Sequence, residues 1–185
     1  MPQATKIMIV RHAEKPADTG APYGVAIDGT QDAESLIVRG WQRAGALAVL
    51  FAPSHGPLQN TGLAQPQALF ASGIAKHSES MRPQETLTPL SQKLGIEINT
   101  GCLKGQESQV AAQAVATAGI VLIGWEHQNI PLIANAIVGN DTTVPQSWPG
   151  DRFDIVWVFD LDSSGNYAFS QVPQQVLAGD LPTVI

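Results

Sequence analysis

Four short runs with strand character alternate along this chain with four segments whose apolar residues return at helical spacing, and a hairpin-like pair of runs closes it. That order restricts the fold to an α/β layer structure with a mostly parallel sheet, because a parallel neighbour can be reached only through a crossover, here a helix. Lys6 to Val10 reads K-I-M-I-V, the continuous apolar run of a strand buried on both faces. Leu36, Ile37, Ala44, Leu47, Ala48 and Phe51 recur at helical spacing over Ser35 to Phe51, with Ser35 as the expected N-cap. Gln67 to Ser72 reads as a strand and Ser80 to Leu94 as a helix, with Pro83 in its first turn and Gly95 at its end. Ile96 to Asn99 is a weak strand, Gln106 to Ala118 an Ala-rich helix, Ile120 to Trp125 a β-branched strand and Gln128 to Val138 a helix ended by Gly139-Asn140. Asp154 to Leu161 and Tyr167 to Val172 read as strands joined by a turn through Asp162 to Asn166, which suggests an antiparallel edge.

The expected architecture is therefore a three-layer αβα sandwich formed by one domain over residues 1–185, a length that buries a substantial core without disulfides. Apolar residues at 44% against 14% charged suit a packed globule rather than a disordered chain. The apolar runs are too short to cross a bilayer, Met1 to Lys6 lacks the features of a signal peptide, and the lone Cys102 has no partner. A cytoplasmic location is the expectation. A net charge of −6 argues against nucleic acid and anionic membranes as partners, so any bound anion has to meet a local cluster of cations.

Ligands of such sheets bind beyond the carboxyl ends of the strands, close to helix N-termini whose free N–H groups favour anions. Arg11-His12 follows the first strand, Ser78 to Arg82 lies beyond the second, and His127 follows the fourth. Three remote segments thus bring two guanidiniums and two imidazoles to one rim.

These segments resemble a known family. Arg11-His12-Ala13-Glu14 is similar to the R-H-G/A-E signature of the histidine phosphatase superfamily, which includes the cofactor-dependent phosphoglycerate mutases. Leu36-Ile37-Val38-Arg39-Gly40 resembles its L-T-x-x-G, and Ser78 to Thr86 its S-x-x-x-R-A-x-E/Q-T segment. Gly124-Trp125-Glu126-His127 stands where a late strand ends in the second catalytic His, so the likeness spans roughly residues 5 to 140. It implies a phosphoglycerate mutase-like fold and a phosphatase in which His12 is transiently phosphorylated, with no cofactor. Ile37 in place of Thr, Ala13 in place of Gly and Gln128-Asn129 after His127 set the chain apart from the mutases and the acid phosphatases. The absence of Asp after His127 removes the proton donor of the acid phosphatase branch.

The residue types fit that chemistry. Phosphoryl transfer needs a nucleophile in line with the leaving group and donors on the equatorial oxygens. Arg11 and Arg82 offer permanently charged forks, His12 can attack when one ring nitrogen is unprotonated, and a protonated His127 adds a donor. These cations can replace a metal. A leaving alkoxide needs a proton, and Glu107 is the candidate because the mutase-like branch carries its acid in the corresponding loop; Glu14 and Glu126 are rivals. Lys15 could hold substrate phosphate or be solvated. His55 and His77 read as surface residues, and Trp148 and Phe153 as packing residues rather than a lid.

Val156 to Asp162 also resembles the strand and D-x-D of haloacid-dehalogenase-like phosphatases, but the segment from Ser163 to Ile185 is too short to complete such a site. Neither a G-x-S-x-G elbow nor a G-x-x-x-x-G-K-[ST] loop occurs. The reading is a metal-independent phosphomonoester hydrolase acting on a small-molecule or protein phosphate ester. A non-catalytic phospholigand-binding member of the fold and a phosphomutase are the alternatives.

Overall fold

The computed structural model describes residues 3–185. Ten elements follow in the order β1 (Ala4–Arg11), α1 (Val38–Phe51), β2 (Ala68–Ala71), α2 (Arg82–Leu94), β3 (Ile98–Asn99), α3 (Glu107–Ala116), β4 (Gly119–Trp125), α4 (Ile130–Val138), β5 (Ile155–Leu161) and β6 (Tyr167–Pro173). The strands form one sheet in the order β3-β2-β4-β1-β5-β6. β1, β2, β3 and β4 pair in parallel, β5 runs antiparallel to β1, and β6 runs antiparallel to β5 at the edge.

The continuous apolar runs have a direct structural cause. Side chains alternate across a strand, so consecutive residues enter opposite cores. Ile7 and Ile9 of β1, Val121 and Ile123 of β4, and Trp157 and Phe159 of β5 pack with Val110 and Ala114 of α3 and Ile130 and Ile133 of α4. The intervening Met8, Val10, Leu122, Val156 and Val158 pack with Leu47 and Phe51 of α1 and Leu87 and Leu90 of α2. Two helices thus cover each face, giving three layers and leaving polar residues little room in the central strands.

One boundary differs from expectation. Helix α1 starts at Val38, and no side chain caps it. The Ser35 hydroxyl instead donates to Glu85 Oε1 at 2.7 Å, and the same carboxylate accepts the Leu36 N–H at 2.8 Å. Ser35 looks like a cap locally, but a carboxylate from α2 claims its hydroxyl and holds the chain extended for two more residues. The start of α1 then leans on the segment after β1. Ile37 N–H donates to the Glu14 carbonyl at 3.1 Å, and a Cβ on Gly40 would lie 2.6 Å from that oxygen, so only glycine permits the approach.

Candidate active site

Strand pairing assembles the rim. Arg11 and Trp125 are register partners at the carboxyl ends of β1 and β4, and the His12 N–H donates to the Trp125 carbonyl at 2.9 Å. That bond sets Arg11-His12 beside Glu126-His127. The N-terminus of α2 closes the third side, because Thr86 Oγ1 accepts the Ala13 N–H at 2.8 Å and donates to the Arg82 carbonyl at 2.7 Å. Thr86 and Glu85 of the Ser78-to-Thr86 motif are thus ties between segments, while Ser78, Ser80 and Arg82 reach the cavity.

That cavity, of about 60 Å³, is lined by His12, Arg82, Lys104, Glu126, Ser72, Ser78 and Ser80 among others. Ser72 and Lys104 were not expected there; each follows a strand-like segment, which is the signal that could have found them. His12 is buried, with Nδ1 2.7 Å from the carbonyl of Ala13. A carbonyl only accepts, so Nδ1 carries the hydrogen and Nε2 keeps its lone pair. Burial holds the ring pKa down to about 3, helped by the positive charges of Arg11 and Arg82 and by His127, against the backbone bond to Ala13. The result is a neutral, oriented nucleophile at any ordinary pH.

Arg11 is buried with its Cζ 3.7 Å above the Phe153 ring. Its Nη1 donates to the carbonyls of Gly150 at 2.8 Å and Arg152 at 2.9 Å, and more weakly to Pro149 at 3.4 Å. Its Nε and Nη2 are buried without a partner among the described residues, as is the Nε of Arg82. Burial lowers the Arg11 pKa to about 10, which leaves it charged. Arg82 donates to the Ala33 carbonyl at 2.9 Å and lies 3.5 Å from Glu34. These orphaned donors are the feature most readily satisfied by an oxyanion.

His127 does not line the small cavity; its Nε2 faces Gly150, where an added Cβ would sit 3.9 Å away. Burial, with the charges of Arg11, Lys15 and Lys104, lowers its pKa to about 4. His12 and Arg82 therefore share the cavity, while Arg11 and His127 meet at the 149–152 loop, and all three neighbours act electrostatically on His12. Phe153, expected only to pack, is the platform beneath Arg11; Trp148 is a core residue whose Nε1 donates to the Arg152 carbonyl at 2.9 Å.

Three other expectations meet different surroundings. Glu107 lies off the cavity lining. Its Oε1 accepts from Asn129 Nδ2 at 2.6 Å, Gly105 N at 3.0 Å and Trp125 Nε1 at 3.1 Å, and although burial opposes it, these bonds hold the pKa below the ordinary value. A carboxylate kept ionised by three donors is a poor acid; Glu107 instead braces the turn that carries His127. Glu14 is taken up by Arg43 at 2.9 Å and Arg39 at 3.2 Å. Lys15 pairs with exposed Asp18 at 3.0 Å and does not line the cavity.

The His12 environment has a measurable consequence. Its folded pKa lies below the ordinary 6.5, so the unfolded chain protonates first on acidification, and the neutral ring's contribution is complete above pH 6.5 and lost as pH falls towards 3. From pH 7 to pH 5 this residue should account for about 2 kcal/mol of lost stability. Urea unfolding of the wild type and of His12→Gln, which cannot titrate, should show the difference between them shifting by about that amount. Parallel pH profiles would contradict the assignment.

No protein-family model and no curated protein matches the chain. Solved structures do. SixA from Agrobacterium tumefaciens superposes with a TM-score of 0.53 at 16% identity, covering 90% of this chain and 96% of that one. The native mycobacterial glucosyl-3-phosphoglycerate phosphatase gives 0.51 at 11%, covering 94% and 100%. Phosphoglycerate mutase from Plasmodium falciparum gives 0.51 at 11%, covering 100% of both chains. The chain has the phosphoglycerate mutase-like fold. What the phosphoglycerate mutase-like fold supplies at such identities is the backbone path, and the chemistry has to be argued from the residues set on it. None of the described helices is long and apolar enough to cross a membrane.

Proposed function

We propose that this protein is a histidine phosphatase-type phosphomonoester hydrolase that works through a phosphohistidine on His12. The observation that carries the reading is the His12 ring itself: Nδ1 is tied to the Ala13 carbonyl, leaving an unprotonated Nε2 in a cavity shared with Arg82. Nε2 attacks phosphorus as the ester P–O bond breaks, and the alcohol departs with a proton. Water then attacks the phosphohistidine, the P–N bond breaks, and inorganic phosphate leaves. The unpartnered donors of Arg11 and Arg82 suit the equatorial oxygens of the transferring group. A bound dianion also raises the pKa of nearby His127, which then adds a further donor. The net charge of −6 favours a small-molecule or protein phosphate ester over nucleic acid or membrane.

Two guanidiniums and an imidazole make a divalent cation dispensable. Hydrolysis of a chromogenic aryl phosphate should therefore proceed in EDTA at nearly its full rate. Complete loss restored by Mg²⁺ would indicate a metal mechanism, and tight phosphate binding without turnover would indicate a phospholigand sensor.

A further inference from the structure

The alcohol leaving phosphorus needs a proton, and two of the three acids that the sequence offered for this are committed elsewhere: Glu107 to Trp125, Asn129 and Gly105, and Glu14 to Arg43 and Arg39. Glu126 is different. It ends the β4 connection one residue before His127 and lines the His12 cavity. Its Oε2 pairs with Lys104 Nζ at 2.8 Å, while its Oε1 is buried and has no hydrogen-bond partner among the described residues. Lys104 lines both this cavity and the wider mouth of about 370 Å³ outside it, where Lys76, His77 and Glu79 stand. A buried carboxylate oxygen without a donor is costly unless something arrives to satisfy it, and a hydroxyl-bearing phosphoryl group or its leaving alcohol is such a partner.

We propose that Glu126 is the catalytic acid and base of this site and that Lys104 is the residue that sets it. The inference rests on His12 being the nucleophile. Lys104 Nζ lies 2.8 Å from Glu126 Oε2 and pairs with it. An entering phosphate monoester carries negative charge that competes for the Lys104 ammonium, and its monoanion, ROPO₃H⁻, brings the proton that Glu126 takes up. As His12 Nε2 bonds to phosphorus, the P–O bond breaks and Glu126 returns that proton to the leaving oxygen as ROH. The Glu126 carboxylate next takes a proton from water while its oxygen attacks phosphorus and the P–N bond breaks. The proton then leaves on phosphate as H₂PO₄⁻, and Glu126 pairs with Lys104 again. The sum is ROPO₃H⁻ and water giving ROH and H₂PO₄⁻, with nothing oxidised or reduced.

The test compares leaving groups. Phenol has a pKa of about 10, like tyrosine, and needs a proton on departure, whereas dinitrophenolate leaves unaided. Glu126→Gln should lower the rate of His12 phosphorylation by phenyl phosphate about 100-fold or more and leave that by 2,4-dinitrophenyl phosphate within about threefold. The second ester also reports that the variant is folded. Lys104→Met should raise KM for both esters. Equal losses on the two esters in Glu126→Gln, or no loss on phenyl phosphate, overturns the assignment of Glu126 while His12 still acquires phosphate. A wild-type protein that forms no phosphoenzyme from either ester overturns the phosphatase reading and this inference with it.

Discussion

His12→Ala should abolish turnover and with it any acid-labile, base-stable phosphoenzyme, while the protein still folds. The ring is the one group in the cavity with an oriented, unprotonated nitrogen, because Nδ1 is held 2.7 Å from the Ala13 carbonyl and burial keeps the pKa near 3. The serines at positions 72, 78 and 80 line the same space, but a hydroxyl with no adjacent base is a weak nucleophile. Removing His12 therefore removes the covalent route altogether. His127→Ala should act differently, since His127 follows the cavity-lining Glu126 and is assigned to donate to the bound phosphoryl group without bonding to it. Loss of one preorganised donor from a charged transition state lowers the rate by roughly two to four orders of magnitude, and the phosphoenzyme should still form. Rapid-quench labelling with a ³²P-labelled ester separates the two roles. Label carried by His127, or undiminished label in His12→Ala, would mean that the roles are reversed or that the chemistry is not histidine-based.

How much of this could be read from the residues alone follows from which interactions are local. Strands buried on both faces leave continuous runs such as Ile7 to Val10, and the helices packed on them keep their spacing, so element order and layer arrangement were accessible without coordinates. The Ser35 cap failed because its partner, Glu85, lies 50 positions away. Glu107 misled for the same reason: its neighbours in the chain suit a proton donor, whereas its function is decided by Trp125 and Asn129, 18 and 22 residues on. Arg11 reads from the sequence as a pocket residue, yet it does not line the cavity, and its Nη1 partners are the backbone carbonyls of Gly150 and Arg152, groups that every residue possesses and no side-chain pattern announces. Positions where strands end were legible; the contacts that divide those positions into reactive and bracing groups are long-range.

Arg43→Met should destabilise the protein by about 3 to 5 kcal/mol, the usual loss when one partner of a buried ion pair is removed. Arg43 is 2% exposed on α1. Its Nε and Nη2 donate to Glu14, its Nη2 and Nη1 to Asp180, and its Nη1 to Gln174, all within 3.1 Å. Burial alone would lower the pKa of this guanidinium, but the hydrogen bonds to Asp180 and Glu14 outweigh it and push the pKa up. Asp180 is likewise held below its ordinary value despite burial, by Arg43 and by the N–H groups of Leu177 and Val176. One cation thus ties together the segment after His12, helix α1 and the chain beyond β6. Methionine fills similar volume but leaves Glu14 with Arg39 alone and takes from Asp180 the cation it pairs with. The pH dependence distinguishes this from a loss of packing. In the wild type, the lowered Asp180 pKa gives stability that is present above its ordinary value of 3.8 and lost as pH falls through the folded value. In Arg43→Met, Asp180 loses its cation and burial pushes its carboxyl up, so the variant should recover part of its deficit as pH falls from neutrality towards 5. Urea unfolding of both proteins across that range measures the gap. A gap that stays constant with pH would mean packing accounts for it, and one below about 1 kcal/mol would place the network among surface ion pairs.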